Sequence, residues 1–197
     1  MTKVAVVYHS GYGHTHEQAK AVAAGASSVK GVAAELLRIE SAGQDFAPLL
    51  DKLEKADAIV FGSPTYMGSA SAVFKAFAEA SSKPWMGQKW RNKIAAGFTN
   101  SGSQGGDKDS TLLQLVVLAA QHGMMWVSLG LVPGNNSTKG SVEDFNRLGA
   151  SIGATAQSPV DAGPELGPSA SDKKTAEHLG RRVAEAAVQW NAALVDA

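Results

Sequence analysis

Three short runs in this chain combine glycines, hydroxyls and amides in the way that small polar ligands are held. The first, Ser10-Gly11-Tyr12-Gly13-His14-Thr15, lies between an apolar run and a helical pattern. Its glycines permit positive φ and close approach. With the hydroxyls of Ser10 and Thr15 and the free N–H groups at the positive end of a helix, it can bind a phosphate without net positive charge. An ordinary βα turn is the other reading. The spacing is not a dinucleotide fingerprint, because His16 stands where that motif wants Gly or Ala, and no Gly-Lys-Ser/Thr tripeptide of a Walker loop occurs.

The second run is Ser63-Pro64-Thr65-Tyr66-Met67-Gly68-Ser69. Pro64 stiffens the exit from a strand, Gly68 permits close backbone approach, and Tyr66 and Met67 offer flat or soft apolar surface to a planar ring. Such a surface suits an isoalloxazine better than a sugar phosphate, while a Pro-Gly connection capping the core is the alternative. The third run, Thr99 to Gly106, has no charge and no large apolar residue, and presents main-chain and hydroxyl groups to a polar edge. Surface Gly/Ser loops look the same in isolation. Three such runs at matching places make a bound mononucleotide the better reading.

Other reactive types are weighed singly. His122 precedes Gly123 at a helix end, where a histidine serves as a C-terminal cation, a packed ring or a catalytic group. Trp85 and Trp90 lie in a Lys/Gly/Gln-bearing stretch that ordinarily exposes them, marking an interface or stacking surface, with packing over a helix end as the alternative. His9, His14 and His16 have only Glu17 as a neighbouring carboxylate, so no metal is expected. The absence of Cys excludes disulfides, thiolate nucleophiles and iron–sulfur clusters. No Gly-x-Ser-x-Gly elbow points to a hydrolase.

The elements that must position these runs alternate. Strands are expected at Val4–Tyr8, Ala33–Ile39, Ala58–Gly62, Lys93–Thr99 and Met124–Leu129. Helices are expected at about 16–27, 46–55, 71–82, 111–120 and 171–192. This predicts one α/β domain over residues 1–197: a three-layer α/β/α architecture with a five-stranded parallel sheet in the order 2-1-3-4-5. Ligands bind such sheets beyond the carboxyl ends of the strands, where the loops after strands one, three and four fall. Residues 132–168 are rich in Gly, Ser, Asn and Pro, a stretch that is either functional or hides unread structure.

Eighteen Lys and Arg balance eighteen Asp and Glu, so there is no basic surplus for nucleic acid or an anionic membrane. Hydrophobic residues at 44% and charged residues at 18% suit a globular core. The first apolar run is too short for a signal or a membrane span, and a cytoplasmic location is expected.

With Tyr8–Thr15, Phe61–Gly68, Phe98–Gly102 and Gln121–Met124 in order, the chain resembles the flavodoxin superfamily, and within it the WrbA-type NAD(P)H:quinone oxidoreductases and multimeric flavodoxins (NADPH-dependent FMN reductase-like), over nearly all its length to about Gln157. The resemblance implies a flavodoxin-like fold and FMN, with Ser10, Tyr12, Gly13, His14 and Thr15 at its phosphate. Pro64, Thr65, Tyr66, Met67 and Gly68 are placed along the ring, and Asn100, Ser101 and Gly102 near the ring and ribityl chain. It also implies His122 as the residue beside the flavin and its electron acceptor, Trp85 against a flavin of a neighbouring subunit, and a homotetramer, for which Met124-Met125-Trp126 add apolar surface. The implied activity is NAD(P)H:quinone reduction by hydride transfer through flavin N5, the cofactor carrying the redox chemistry. A flavodoxin-type electron carrier and an NAD(P)H-dependent FMN reductase are the alternatives; zero net charge speaks against a carrier that docks through an acidic surface. The chain departs from many relatives in having Tyr66-Met67 where they have Arg-Phe, and in a short Glu40–Asp45 segment.

Overall fold

Strand β1 (Thr2–His9) is central because Val4–Tyr8 is an unbroken apolar run, and it pairs in parallel with β2 (Val32–Ile39) on one side and β3 (Ala58–Tyr66) on the other. β5 (Ile94–Ser101) continues the sheet in parallel, with Ala58 opposite Ile94 and Pro64 opposite Asn100. Alternation along β1 divides the core into two layers. Val4, Val6 and Tyr8 face α1 (His14–Ser27) and α6 (Ala170–Val195), while Ala5 and Val7 face the layer of α2 (Ala47–Glu54), α3 (Ala72–Ala80) and α5 (Lys108–Gln121). α1 and α6 touch backbone to backbone, since a Cβ on Gly25 would stand 1.8 Å from the Glu177 carbonyl oxygen. These observations come from a computed structural model that describes residues 1–195, so the last two residues of the expected 1–197 domain lie outside it.

The fold is the expected three-layer arrangement with a parallel sheet, but the strand count and order need correction. The sheet has seven strands in the order β2-β1-β3-β5-β6, with β4 (Ser69–Ala70) antiparallel on β3 and β7 (Ala154–Gln157) on β5. The expected fifth strand over Met124–Leu129 is reduced to β6 (Met125–Trp126), which pairs with the start of β5. Its place beside the end of β5 is taken by β7, after the excursion of residues 127–153. The fifth position is therefore split between two short strands.

The excursion is ordered by Asn146, whose buried side-chain amide donates to the Ala150 carbonyl at 2.8 Å and whose N–H donates to Thr175 Oγ1 at 2.9 Å. Beside it, Arg147 grips Asp172 of α6 through two hydrogen bonds of 2.8 and 2.7 Å. A further short helix, α4 (Ser82–Met86), carries Trp85. Among the described residues no helix is long and apolar enough to cross a membrane.

Candidate functional site

A cleft of about 570 Å³ opens at the carboxyl ends of β1, β3 and β5. It is lined from all three expected runs, by Tyr12, His14 and Thr15, by Pro64, Thr65 and Tyr66, and by Asn100, Ser101 and Gly102. The volume lies within the usual range for sites that hold a cofactor-sized molecule.

The first loop is shaped by Gly13, which stands before α1 at φ 90°, in the left-handed region, and supplies no side-chain cap. A Cβ there would lie 2.9 Å from Pro164. Ser10 Oγ accepts from the His16 N–H at 3.1 Å and the Gly13 carbonyl accepts from the Glu17 N–H at 3.1 Å, so the start of α1 is braced from within while its first N–H groups face the loop. The His16 ring is tied to the Tyr8 hydroxyl at 2.5 Å and stacks on the Tyr8 ring. Burial holds the His14 imidazole below its usual pKa, partly offset by the Glu165 carboxylate, so it is neutral near neutral pH.

In the second run, Tyr66 and Ser69 pair across a two-residue turn in which Met67 (φ 48°) and Gly68 (φ 75°) both have positive φ, the geometry of a type I′ hairpin. The turn aims Met67 wholly into solvent, and Met67 does not line the cleft. Gly68 serves the turn, its carbonyl accepting from Ser110 Oγ at 2.6 Å. Tyr66 leans back over the first run. Its hydroxyl accepts from the Gly11 N–H and its ring meets Tyr12 edge-on at 6.1 Å, so the two tyrosines bridge the first and second loops at the rim. Burial and the neighbouring Tyr12 raise the Tyr66 pKa, and the Gly11 N–H works against them. Beneath, Thr65 Oγ1 lies 2.8 Å from both Thr99 Oγ1 and Thr111 Oγ1, locking the second and third runs to α5.

In the third run Asn100 is 4% exposed and donates through Nδ2 to Ser158 Oγ at 2.9 Å, while its Oδ1 has no partner. A fourth wall comes from residues the sequence reading did not single out: Ser158, Val160, Ala162 and Gly163, which follow β7. They lie within the 132–168 stretch, and their one sequence signal is the Ser-Pro break after the Ala/Thr run of β7.

Two expected site residues lie elsewhere. His122 ends α5 just before β6 and Trp90 precedes β5, so both sit at the amino-terminal end of the sheet, roughly 25 Å of strand away from the cleft. His122 is 2% exposed and stacks on Trp90 with ring centroids 4.0 Å apart. Ser81 commits its proton to the Ala78 carbonyl, so its hydroxyl accepts from His122 Nε2–H at 2.9 Å and leaves Nδ1 bare. Burial lowers the His122 pKa to about 4. Within one chain His122 is therefore a packed neutral ring that does not line that chain's own cleft.

Trp85 is half-exposed at the same end, its Nε1 donating to the Gln121 carbonyl at 2.9 Å, whereas Trp90 is fully buried instead of exposed. The expected apolar surface at Met124–Trp126 is largely inward: Met124 belongs to the core and Trp126 donates to the Ile152 carbonyl at 2.9 Å. Among the described residues no three His, Asp or Glu side chains gather to hold a metal ion.

The donor set fits FMN. A helix start whose cap residue is Gly13, with the N–H groups of His14 and Thr15 free, suits a phosphate, and the orphaned Asn100 Oδ1 suits a ring N–H or a ribityl hydroxyl.

The pattern of the NADPH-dependent FMN reductase family matches residues 26–138, more than half of the chain, and the chain belongs to that family within the flavodoxin-like fold. It is an oxidoreductase that uses FMN. Among its relatives, flavodoxin FldP of Pseudomonas aeruginosa is 46% identical over 192 residues, 98% of this chain and all of that one. An NAD(P)H dehydrogenase (quinone) of Syntrophobacter fumaroxidans is 32% identical across 94% of this chain and 97% of its own length. The crystal structure of a flavodoxin, WrbA-like protein from Agrobacterium tumefaciens superposes with a TM-score of 0.76 at 45% identity, covering 96% of this chain and 99% of that one.

Proposed function

We propose that this chain is an NAD(P)H:quinone oxidoreductase in which FMN lies in the cleft with its phosphate at the start of α1. The reading rests on one observation above all: three polar loops converge at the carboxyl ends of β1, β3 and β5 around the glycine-capped start of α1. FMN held there would supply the redox chemistry, hydride transfer through N5 from NAD(P)H and two-electron reduction of a quinone.

The chain's own residues position and select. Ser10, Gly13, His14 and Thr15 shape the phosphate end, where neutral His14 can offer an N–H without adding charge. Pro64, Thr65 and Tyr66 wall the ring, and Asn100, Ser101 and Gly102 meet its polar edge. The tyrosine pair Tyr12 and Tyr66 stands at the rim, in edge-on contact.

The same reading includes a homotetramer in which Trp85 of one subunit reaches the flavin of another. Its support is the half-exposed indole, held in orientation by Gln121. His122 then acts through packing next to that segment, as a positioning residue. The test is NADH and NADPH oxidation by FMN-loaded protein, with and without a benzoquinone, alongside light scattering at micromolar concentration. Rapid quinone-dependent turnover by a tetramer is expected; a monomer removes the Trp85 role. A second reading, an electron carrier, is favoured by the flavodoxin name of the 46% identical relative. It requires that NAD(P)H alone leave the bound FMN oxidised until a separate reductase is added.

A further inference from the structure

Lys108 is an odd residue for its position. It is the first residue of α5, where the helix dipole disfavours a cation, and it is only 3% exposed. The residue before it, Asp107, has φ 52° and offers no side-chain cap. All three ammonium protons are committed to the loop that ends β5: to Ser101 Oγ at 2.9 Å, the Ser103 carbonyl at 2.6 Å and the Gln104 carbonyl at 2.8 Å. The loop is wound closely around this group. Gly106, at φ 58°, would place a Cβ 2.2 Å from Ser101 Oγ and 3.1 Å from the Ser103 carbonyl.

Ser101 and Gly102 line the cleft, and Lys108 stands directly behind them. The charged groups that face it are Asp172 of α6, Arg147 of the excursion and Asp109 of α5. Asp172 is already engaged by the two hydrogen bonds from Arg147 and one from the Gln157 N–H at 2.9 Å. Among the described residues no carboxylate forms an ion pair with Lys108, and its direct partners are all loop oxygens.

We infer that Lys108 is a positioning residue for the cofactor site: it moulds residues 101–104 into the wall that receives the flavin and fixes a positive charge behind that wall, which eases the addition of electrons. The inference rests on the FMN reading of the cleft. A methionine matches the stem but removes the three donors and the charge. An arginine keeps the charge, but its planar fork does not meet three acceptors converging on one point. Burial lowers the Lys108 pKa to about 8, so the wild type itself provides a titration.

The experiment measures FMN affinity by fluorescence quenching and the potential of the bound flavin by spectroelectrochemistry, on wild type, K108M and K108R. The dissociation constant is expected to rise on the order of tenfold in both variants, the usual effect of losing hydrogen bonds to a charged group. The potential should fall in K108M and stay near wild type in K108R. In the wild type, affinity should weaken as pH rises through about 8, where the ammonium loses its proton, and this step should be missing in K108M. Wild-type affinity and potential in K108M, a fall in potential shared equally by K108R, or a wild-type affinity flat across that range each overturn the inference while leaving the FMN reading intact. If K108M does not fold, the wild-type titration and K108R still decide. Wild-type protein that takes up no FMN overturns the cofactor reading itself, and this inference with it.

Discussion

The two ends of the parallel sheet are built from similar side chains and do different things. At the carboxyl end, Tyr12, Tyr66, His14, Thr15 and Asn100 surround an open cleft. At the amino end, Trp90, Phe77, Phe61, His122 and Ser81 form a closed stack, with Trp90 and His122 in face-to-face contact. The carboxyl end presents main-chain N–H groups that the helix cannot satisfy. At the amino end aromatic faces satisfy one another and exclude water. A histidine beside a helix end is thus a candidate for chemistry in one setting and a core residue in the other, and the difference lies in whether neighbours already cover its ring.

The comparison predicts separable losses. Trp90→Ala opens a cavity in the closed stack and should lower stability by about 3 to 5 kcal/mol, with FMN affinity of the folded fraction unchanged. Urea unfolding with and without FMN checks this, and a parallel loss of FMN affinity breaks the separation of the two ends.

The converse substitution is Ser10→Ala with Thr15→Ala. It should weaken FMN by about 1 to 3 kcal/mol, the range for hydrogen bonds to a charged group. Calorimetric titration reads the affinity; unchanged binding moves the phosphate away from the start of α1.

The third concerns pH. The folded pKa of His122 is lowered from 6.5 to about 4, so the unfolded chain binds a proton that the folded chain does not between those values. Stability should decline as pH falls through that window, with a contribution from this residue of at most roughly 1.4 kcal/mol per pH unit. Denaturant midpoints of wild type and His122→Gln should converge as the pH is lowered. Curves that stay parallel mean that the ring is hydrated or already charged.

The smallest effect is expected at the turn. Met67 holds φ 48° beside Gly68, a position where Asn is preferred, so Met67→Asn should stabilise by roughly 1 kcal/mol and leave FMN binding as it was. Thermal unfolding and one FMN titration suffice. A marked loss of affinity returns Met67 to the ring wall, where the resemblance to relatives places it and the cleft lining does not.

How much was legible follows from the range of the interactions. The first loop is readable because Gly11, Gly13, Ser10 and Thr15 lie within a few residues of each other, and an apolar β-branched run followed by a helical pattern allows few other geometries. The corrections arise where a residue's fate depends on a distant partner. Trp90 was expected at the surface and is buried because Phe61, Phe77 and His122 come from three other elements. β7 carries only Ala154-Thr155-Ala156-Gln157, too little pattern to announce a strand, and it becomes one because the end of β5 offers Phe98–Ser101 an open edge.

The sequence alone determined that β1, β3 and β5 end in polar, glycine-bearing loops and that alternating strands and helices bring those loops to one edge. Local patterning carries that information: hydrophobic period, glycine where φ is positive, hydroxyls at a helix start. Long-range packing sets the rest: the excursion walls the cleft with Ser158 and Val160, Met67 faces solvent, and His122 is sealed beneath Trp90. It also decided that Lys108 is buried within a loop instead of lying at the surface. Each of these depends on desolvation by residues far away in the chain, and burial is a property of the assembled fold that no short stretch of residues contains.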